Sequence, residues 1–114
     1  MMANPNKRKG DQAERQVVAW LRTHGFINAE RAYGAGRADD VGDIDGMPGV
    51  CIEVKDHGKH TLSEFLKELE SEMKNMNAAT GVVIIKRRGS TDVDTWYAVS
   101  TARIWVDLLK EGEQ

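Results

Sequence analysis

The chain has a single cysteine among 114 residues, so it cannot form an internal disulfide or a cysteine-based zinc site. Cys51 therefore reads as a packing residue in a protein of a reducing, cytoplasmic compartment. No apolar run approaches the roughly 20 residues that a membrane-spanning helix needs, and Met1–Gly10 lacks the apolar core of a secretory leader. There are only two prolines, no low-complexity tract and no internal repeat. Gly34-Ala35-Gly36 lacks the later glycine of a dinucleotide fingerprint, so no nucleotide cofactor is expected. His24, His57 and His60 do not fall at ligand spacing. What remains is a chain that is 40% hydrophobic and 30% charged, enough for one domain around one core.

The net charge of −2 hides a segregation. Residues 1–38 hold seven Lys/Arg against three Asp/Glu, whereas residues 39–56 hold six acids against one lysine. A basic segment beside an acidic one suits a metal-dependent enzyme acting on a polyanion.

Residues 1–9 read as a flexible basic arm, and residues 10–114 as a single domain. Asp11 and Glu14 have the spacing of a capping box opening a helix, with Ala13, Val17, Trp20 and Leu21 on its apolar face and Gly25 at its end. Phe26–Ala32 reads as a strand, and Tyr33–Arg37 as a mobile glycine-rich loop. Strands near 41–46 and 50–56 flank a Pro-Gly turn. Thr61 and Glu64 form a second capping box, before a helical stripe of Leu62, Phe65, Leu66, Leu69, Met73 and Met76 that closes at 78–81. Strands at 82–86 and 95–99 follow, then a helix from Thr101 with Ile104, Trp105, Leu108 and Leu109. The order α-β-β-β-α-β-β-α implies a mixed sheet flanked by helices, with a right-handed crossover making the third and fourth strands parallel.

The informative stretch is Asp43-Ile44-Asp45-Gly46-Met47-Pro48-Gly49-Val50-Cys51-Ile52-Glu53-Val54-Lys55. Strand periodicity puts Cys51, Glu53 and Lys55 on one face, with Glu53 and Lys55 about 7 Å apart along the chain. Two charges in an otherwise apolar strand are costly unless compensated, and carboxylates suit a hard divalent cation. Glu53 would bind the metal, and Lys55 would orient water or stabilise charge on a phosphate. The partner carboxylate is Asp43, Asp40 or Asp45, of which Asp43 is best placed across the hairpin. Glu14 is either a capping residue or a further acid of the site. Lys7, Arg8, Lys9, Arg15, Arg31, Arg37, Lys86, Arg87 and Arg88 are candidate phosphate contacts.

Lys9-Gly10-Asp11-Gln12-Ala13-Glu14-Arg15, Leu21, His24-Gly25-Phe26, Arg31, the Gly34–Gly36 loop, Asp43 and Cys51-Ile52-Glu53-Val54-Lys55 together resemble archaeal-type Holliday junction resolvases of the PD-(D/E)xK nuclease superfamily. The likeness covers residues 7–56 well, and the following helix and strand loosely. It implies a restriction-endonuclease-like fold and an endodeoxyribonuclease that resolves four-way DNA junctions in recombination and repair. It also implies a homodimer making paired cuts and dependence on Mg²⁺, with Mn²⁺ able to replace it. Glu14, Asp43, Glu53 and Lys55 would form the catalytic site, Asp43, Glu53 and the Val54 carbonyl the metal site, with Arg15 and Arg31 near the DNA. Two departures stand out. Gly42 replaces the proline usual before the motif aspartate, and the hairpin between Asp43 and Glu53 is short, which keeps Asp40 in contention. The compact chain suits a phage-encoded relative working in the host cytoplasm. Alternatives are a nuclease of the same superfamily acting on flaps, nicks or duplex, or a non-catalytic DNA-binding module of that fold.

Overall fold

In the computed structural model of the chain, residues 5–32, 42–56 and 61–112 are described, with side chains from Gly10 onward. The glycine-rich loop with Arg37, Asp39 and Asp40, and the His57–His60 loop, lie outside the described residues. The side chains of Lys7, Arg8 and Lys9 do as well.

The protein is a mixed α/β structure. Its order is α1 (Pro5–Thr23), β1 (Glu30–Arg31), β2 (Ile44–Asp45), β3 (Val50–Lys55), α2 (Leu62–Met76), β4 (Thr80–Ile85), a single 3-10 turn (Val93–Thr95), β5 (Tyr97–Val99) and α3 (Ala102–Gly112). Strands β3, β4 and β5 form one sheet in that order, and β1 pairs with β2 in a second. The β3–α2–β4 crossover makes β3 and β4 parallel, in register from Val50↔Thr80 to Lys55↔Ile85. The antiparallel β5 covers the other side of β4.

Period-two alternation divides the core. Ile52, Val54 and Ile84 pack with Ala13, Val17, Val18 and Leu21 of α1 and with Trp96. Cys51 and Val83 pack with Phe65 and Leu69 of α2. Helix α2 lies close to the sheet because Gly81 has no side chain: a Cβ there would stand 2.7 Å from Met73 Sδ.

The helix ends follow local chemistry. Helix α1 starts at Pro5, whose fixed φ and missing N–H suit a first helical position, not at Asp11 as the capping-box spacing suggested. The segment read as an arm is thus helical from Pro5 onward. Phe26 N–H donates to Leu21 O and Gly25 N–H to Arg22 O, a Schellman ending built on Gly25. The Thr61–Glu64 box at the start of α2 is formed. The helix closes on Asn77 in the left-handed region, earlier than the expected 78–81. Strand β1 is only two residues long, because Phe26 and Ile27 lie in exposed turns before it. Val93–Thr95 winds into the 3-10 turn under an Asp92 cap, which shortens β5 to Tyr97–Val99.

Candidate metal and nuclease site

The site begins with how β2 meets β3. After Asp45 the chain turns at Met47-Pro48-Gly49-Val50, where Val50 N–H donates to Met47 O at 3.0 Å and Gly49 has a positive φ of 75°. This is the arrangement of a type II turn, with proline second and glycine third. The returning strand aligns Asp43 with the middle of β3. Asp43 N–H donates to Ile52 O at 2.9 Å, and Asp43 Oδ2 accepts from Val54 N–H at 2.8 Å. The hairpin ladder expected between the two strands is not formed, because β2 pairs with β1 instead; this one backbone bond and the Asp43 carboxylate join the segment before β2 to the edge of β3. At position 42 φ is +94°, a region closed to proline, whose ring holds φ near −65°. The missing motif proline thus follows from the backbone of this short hairpin.

Of the aspartates at issue, Asp43 acts electrostatically on Glu14, Glu53 and Lys55. Asp45 instead pairs through β2 with Glu30 of β1, and Asp40 lies outside the described residues. Glu53 is 3% exposed. Its carboxyl lies in hydrogen-bonding contact with Asp43, Glu68 and Glu72. Burial, then the charge of Asp43 and the contacts with Glu72, push its pKa up to about 11. Burial also raises Asp43, against the Val54 N–H and Lys55, which favour its charged form. Glu14 is raised by burial and by Asp43, although Arg31 Nε donates to it at 3.0 Å. Glu14 is therefore no cap: it lies inside α1, beside the hairpin carboxylates.

Lys55 Nζ lies 3.5 Å from Glu53 Oε2 and 3.2 Å from both oxygens of Glu68. Burial disfavours its charge, but Glu53 and Glu68 outweigh this and raise its pKa. Glu68 moves the other way: burial raises it, but contacts with Glu53 and Lys55 bring it below the usual carboxylate range.

Glu68 and Glu72 have no place in the reading of the sequence. Glu72 is 1% exposed, and each of Glu53, Glu68 and Glu72 offers an oxygen within 4.8 Å of the others, a possible cation cradle. The spacing of Glu68 and Glu72 is legible in the sequence, although their burial is not. The two acids are four residues apart and stand three residues after Phe65 and Leu69, so they flank the apolar stripe on the face that meets β3.

The candidate phosphate contacts are dispersed. Arg31 is held by Glu14 and by Asp11 at 2.7 Å. With Arg15 and Arg22 it lines a cleft of about 440 Å³ beside α1. Lys86 N–H donates to Lys55 O at 2.8 Å, so the Lys86-Arg87-Arg88 exit from β4 adjoins the end of β3. Arg87 and Arg88 are exposed, and the Lys86 ammonium sits 5.7 Å from the centre of the Trp96 ring. Cys51 is fully buried, with Sγ 3.9 Å from Glu72 Oε2, as a packing residue should be. No helix among the described residues is long and apolar enough to cross a membrane.

Compared with protein-family models, with curated proteins and with solved structures, the chain has no match.

Proposed function

We propose that this protein is a Mg²⁺-dependent, structure-selective DNA endonuclease that cuts four-way junctions, on a restriction-endonuclease-like fold. The observation that carries the reading is the convergence of Glu14, Asp43, Glu53 and Lys55, from α1, the hairpin and β3, on one partly buried site. The donor set fits a hard cation. It consists of carboxylate oxygens, and buried carboxyls pushed toward their neutral forms are ones that a bound positive charge would stabilise as anions. Asp43, Glu53 and the Val54 carbonyl would hold the ion, with Glu14 close by. When bound, Mg²⁺ would supply Lewis acidity at the scissile phosphate and lower the pKa of a water.

The chain's own residues do the rest. Lys55 presents a cation that orients the attacking water or meets charge developing on the phosphate. Arg15, Arg31, Arg87 and Arg88 supply positive charge on either side, suited to backbone contacts without sequence reading. Paired cuts in a junction call for two active sites, and so for a second copy of the chain. Trp105 is 62% exposed and open to such a contact, whereas Trp20 is tied through Nε1 to Asp94 at 2.6 Å.

The test is cleavage of a labelled synthetic four-way junction beside linear, flap and nicked DNA, with Mg²⁺ and with EDTA. Symmetric Mg²⁺-dependent cuts in the junction alone are expected. Cutting of another structure would reassign the substrate, and binding without cutting would leave only a DNA-binding module.

A further inference from the structure

We propose that Glu68 is a positioning residue for Lys55, holding its ammonium at the end of β3 against the Glu53 carboxyl; the role rests on the nuclease reading of this site. A lysine side chain is long and loses much rotamer entropy when fixed, so a lysine in one place needs anchors. Here there are three. Both Glu68 oxygens accept from Nζ at 3.2 Å, Glu53 Oε2 lies at 3.5 Å, and the Phe65 ring centre is 5.4 Å away.

Phe65 and Glu68 are three residues apart on α2, so one helical face presents the ring and the carboxylate together. That face is held at both ends, by the Thr61–Glu64 box and by the Asn77 closure, and against the sheet at Gly81. Glu53 cannot be the lasting anchor, because the proposed chemistry commits its oxygens to a cation. Glu68 is then the carboxylate left to hold Lys55. The competing role for Glu68 is as a cation ligand with Glu53 and Glu72, whose oxygens are within 4.8 Å. The two roles predict different kinetics.

The experiment compares wild type, Glu68→Ala and Glu68→Gln in the full chain. It measures junction cleavage over a Mg²⁺ titration, and in parallel the ¹⁵N signal of the Lys55 ammonium at fixed pH without metal. Anchoring predicts that Glu68→Ala lowers kcat about 10- to 100-fold, with KM and the Mg²⁺ midpoint within about twofold of wild type. Glu68→Gln, whose amide oxygen still accepts from Nζ, recovers part of the rate. The Lys55 ammonium signal, protected from exchange in wild type, disappears in Glu68→Ala and is retained in Glu68→Gln.

An unchanged kcat overturns the proposal. So does a Mg²⁺ midpoint shifted about tenfold with full rate at saturation, which would make Glu68 a ligand. If the wild-type chain cuts no DNA, the nuclease reading fails by itself. The ammonium signal still judges the anchor, and its persistence in Glu68→Ala overturns it.

Discussion

The two faces of β3 are equally hidden from water and chemically unlike. Toward α1, Ile52 and Val54 meet Ala13, Val17, Val18 and Leu21, an all-apolar contact. Toward α2, the same strand sets Cys51 beside Phe65 and Leu69 but also buries Glu53 against Glu72. One face gains from every buried methylene, at about 25 cal/mol per Å² of apolar area. The other gives up part of that gain to keep carboxyls out of water, where they stay neutral or need a cation. On the proposed nuclease reading, the charged face carries the chemistry, joined by Glu14 from α1, while the apolar contact fixes the strand so that Glu53 and Lys55 stay in place.

Substitutions on the two faces should therefore separate activity from stability. The largest effect is expected from Glu53→Gln or Lys55→Ala, which should reduce Mg²⁺-dependent cleavage at least ~10³-fold, as removal of a group acting in the transition state does. DNA binding, measured by fluorescence anisotropy, should be retained. Cleavage surviving in both variants would remove Glu53 and Lys55 from the chemistry. On the opposite face, Ile52→Ala should cost about 2–5 kcal/mol in chemical denaturation, because the cavity opens in a close-packed layer. Its rate per folded molecule should stay near wild type. If Ile52→Ala abolished activity at unchanged stability, the division between the faces would be wrong.

The same contrast explains what the sequence revealed. The apolar stripe of α2, the Thr61–Glu64 box and the parallel β3–β4 crossover are legible because each depends on local spacing. So is the sorting of β3 into two faces. Phe26 and Ile27 suggest a strand because both are apolar, yet they occupy the turns that follow α1, where the Schellman ending turns the chain. Asp11 suggests a cap, but the helix continues past it toward Pro5, and its carboxylate is used by Arg31 instead. Glu68 and Glu72 escape a reading of the sequence for a different reason. A glutamate beside an apolar stripe normally faces water, and only the tertiary approach of α2 to β3 buries Glu72 and half-buries Glu68.

Acid and base should act through the carboxyl cluster and not through the Ile52 and Val54 contact, which holds no titrating group. The metal-free Glu53 carboxyl has its pKa raised from 4.5 to about 11. Its contribution to stability is whole below about pH 4.5, declines as pH rises above that, and is gone once pH passes the folded value. Glu14 and Asp43, also raised, act in the same sense, and Glu68, lowered, acts against them. In EDTA the protein should therefore be less stable at about pH 8 than at about pH 5, each raised carboxyl contributing at most ~1.4 kcal/mol per pH unit. Glu53→Gln should flatten the dependence, and Mg²⁺ should raise stability at the higher pH in wild type more than in the variant. Thermal melts across this range decide the matter. An identical slope in Glu53→Gln would mean that the buried carboxyl is compensated within the protein and needs no cation.

The smallest effect is expected where neither face is involved. Arg87 and Arg88 leave β4 beside the end of β3, joined to it by the Lys86 N–H to Lys55 O bond, and both are exposed. Exposed arginines at such an exit can touch a phosphate backbone without altering the buried carboxyls. Changing both to glutamine should raise KM for DNA and leave kcat and the melting temperature unchanged. It should also reduce the slope of log affinity against log salt by about 0.9 for each phosphate that the arginines had neutralised. A fall in kcat at unchanged KM would draw these arginines into the reaction. An unaltered salt slope would turn the DNA path away from the β4 exit, toward the Arg15, Arg22 and Arg31 cleft beside α1.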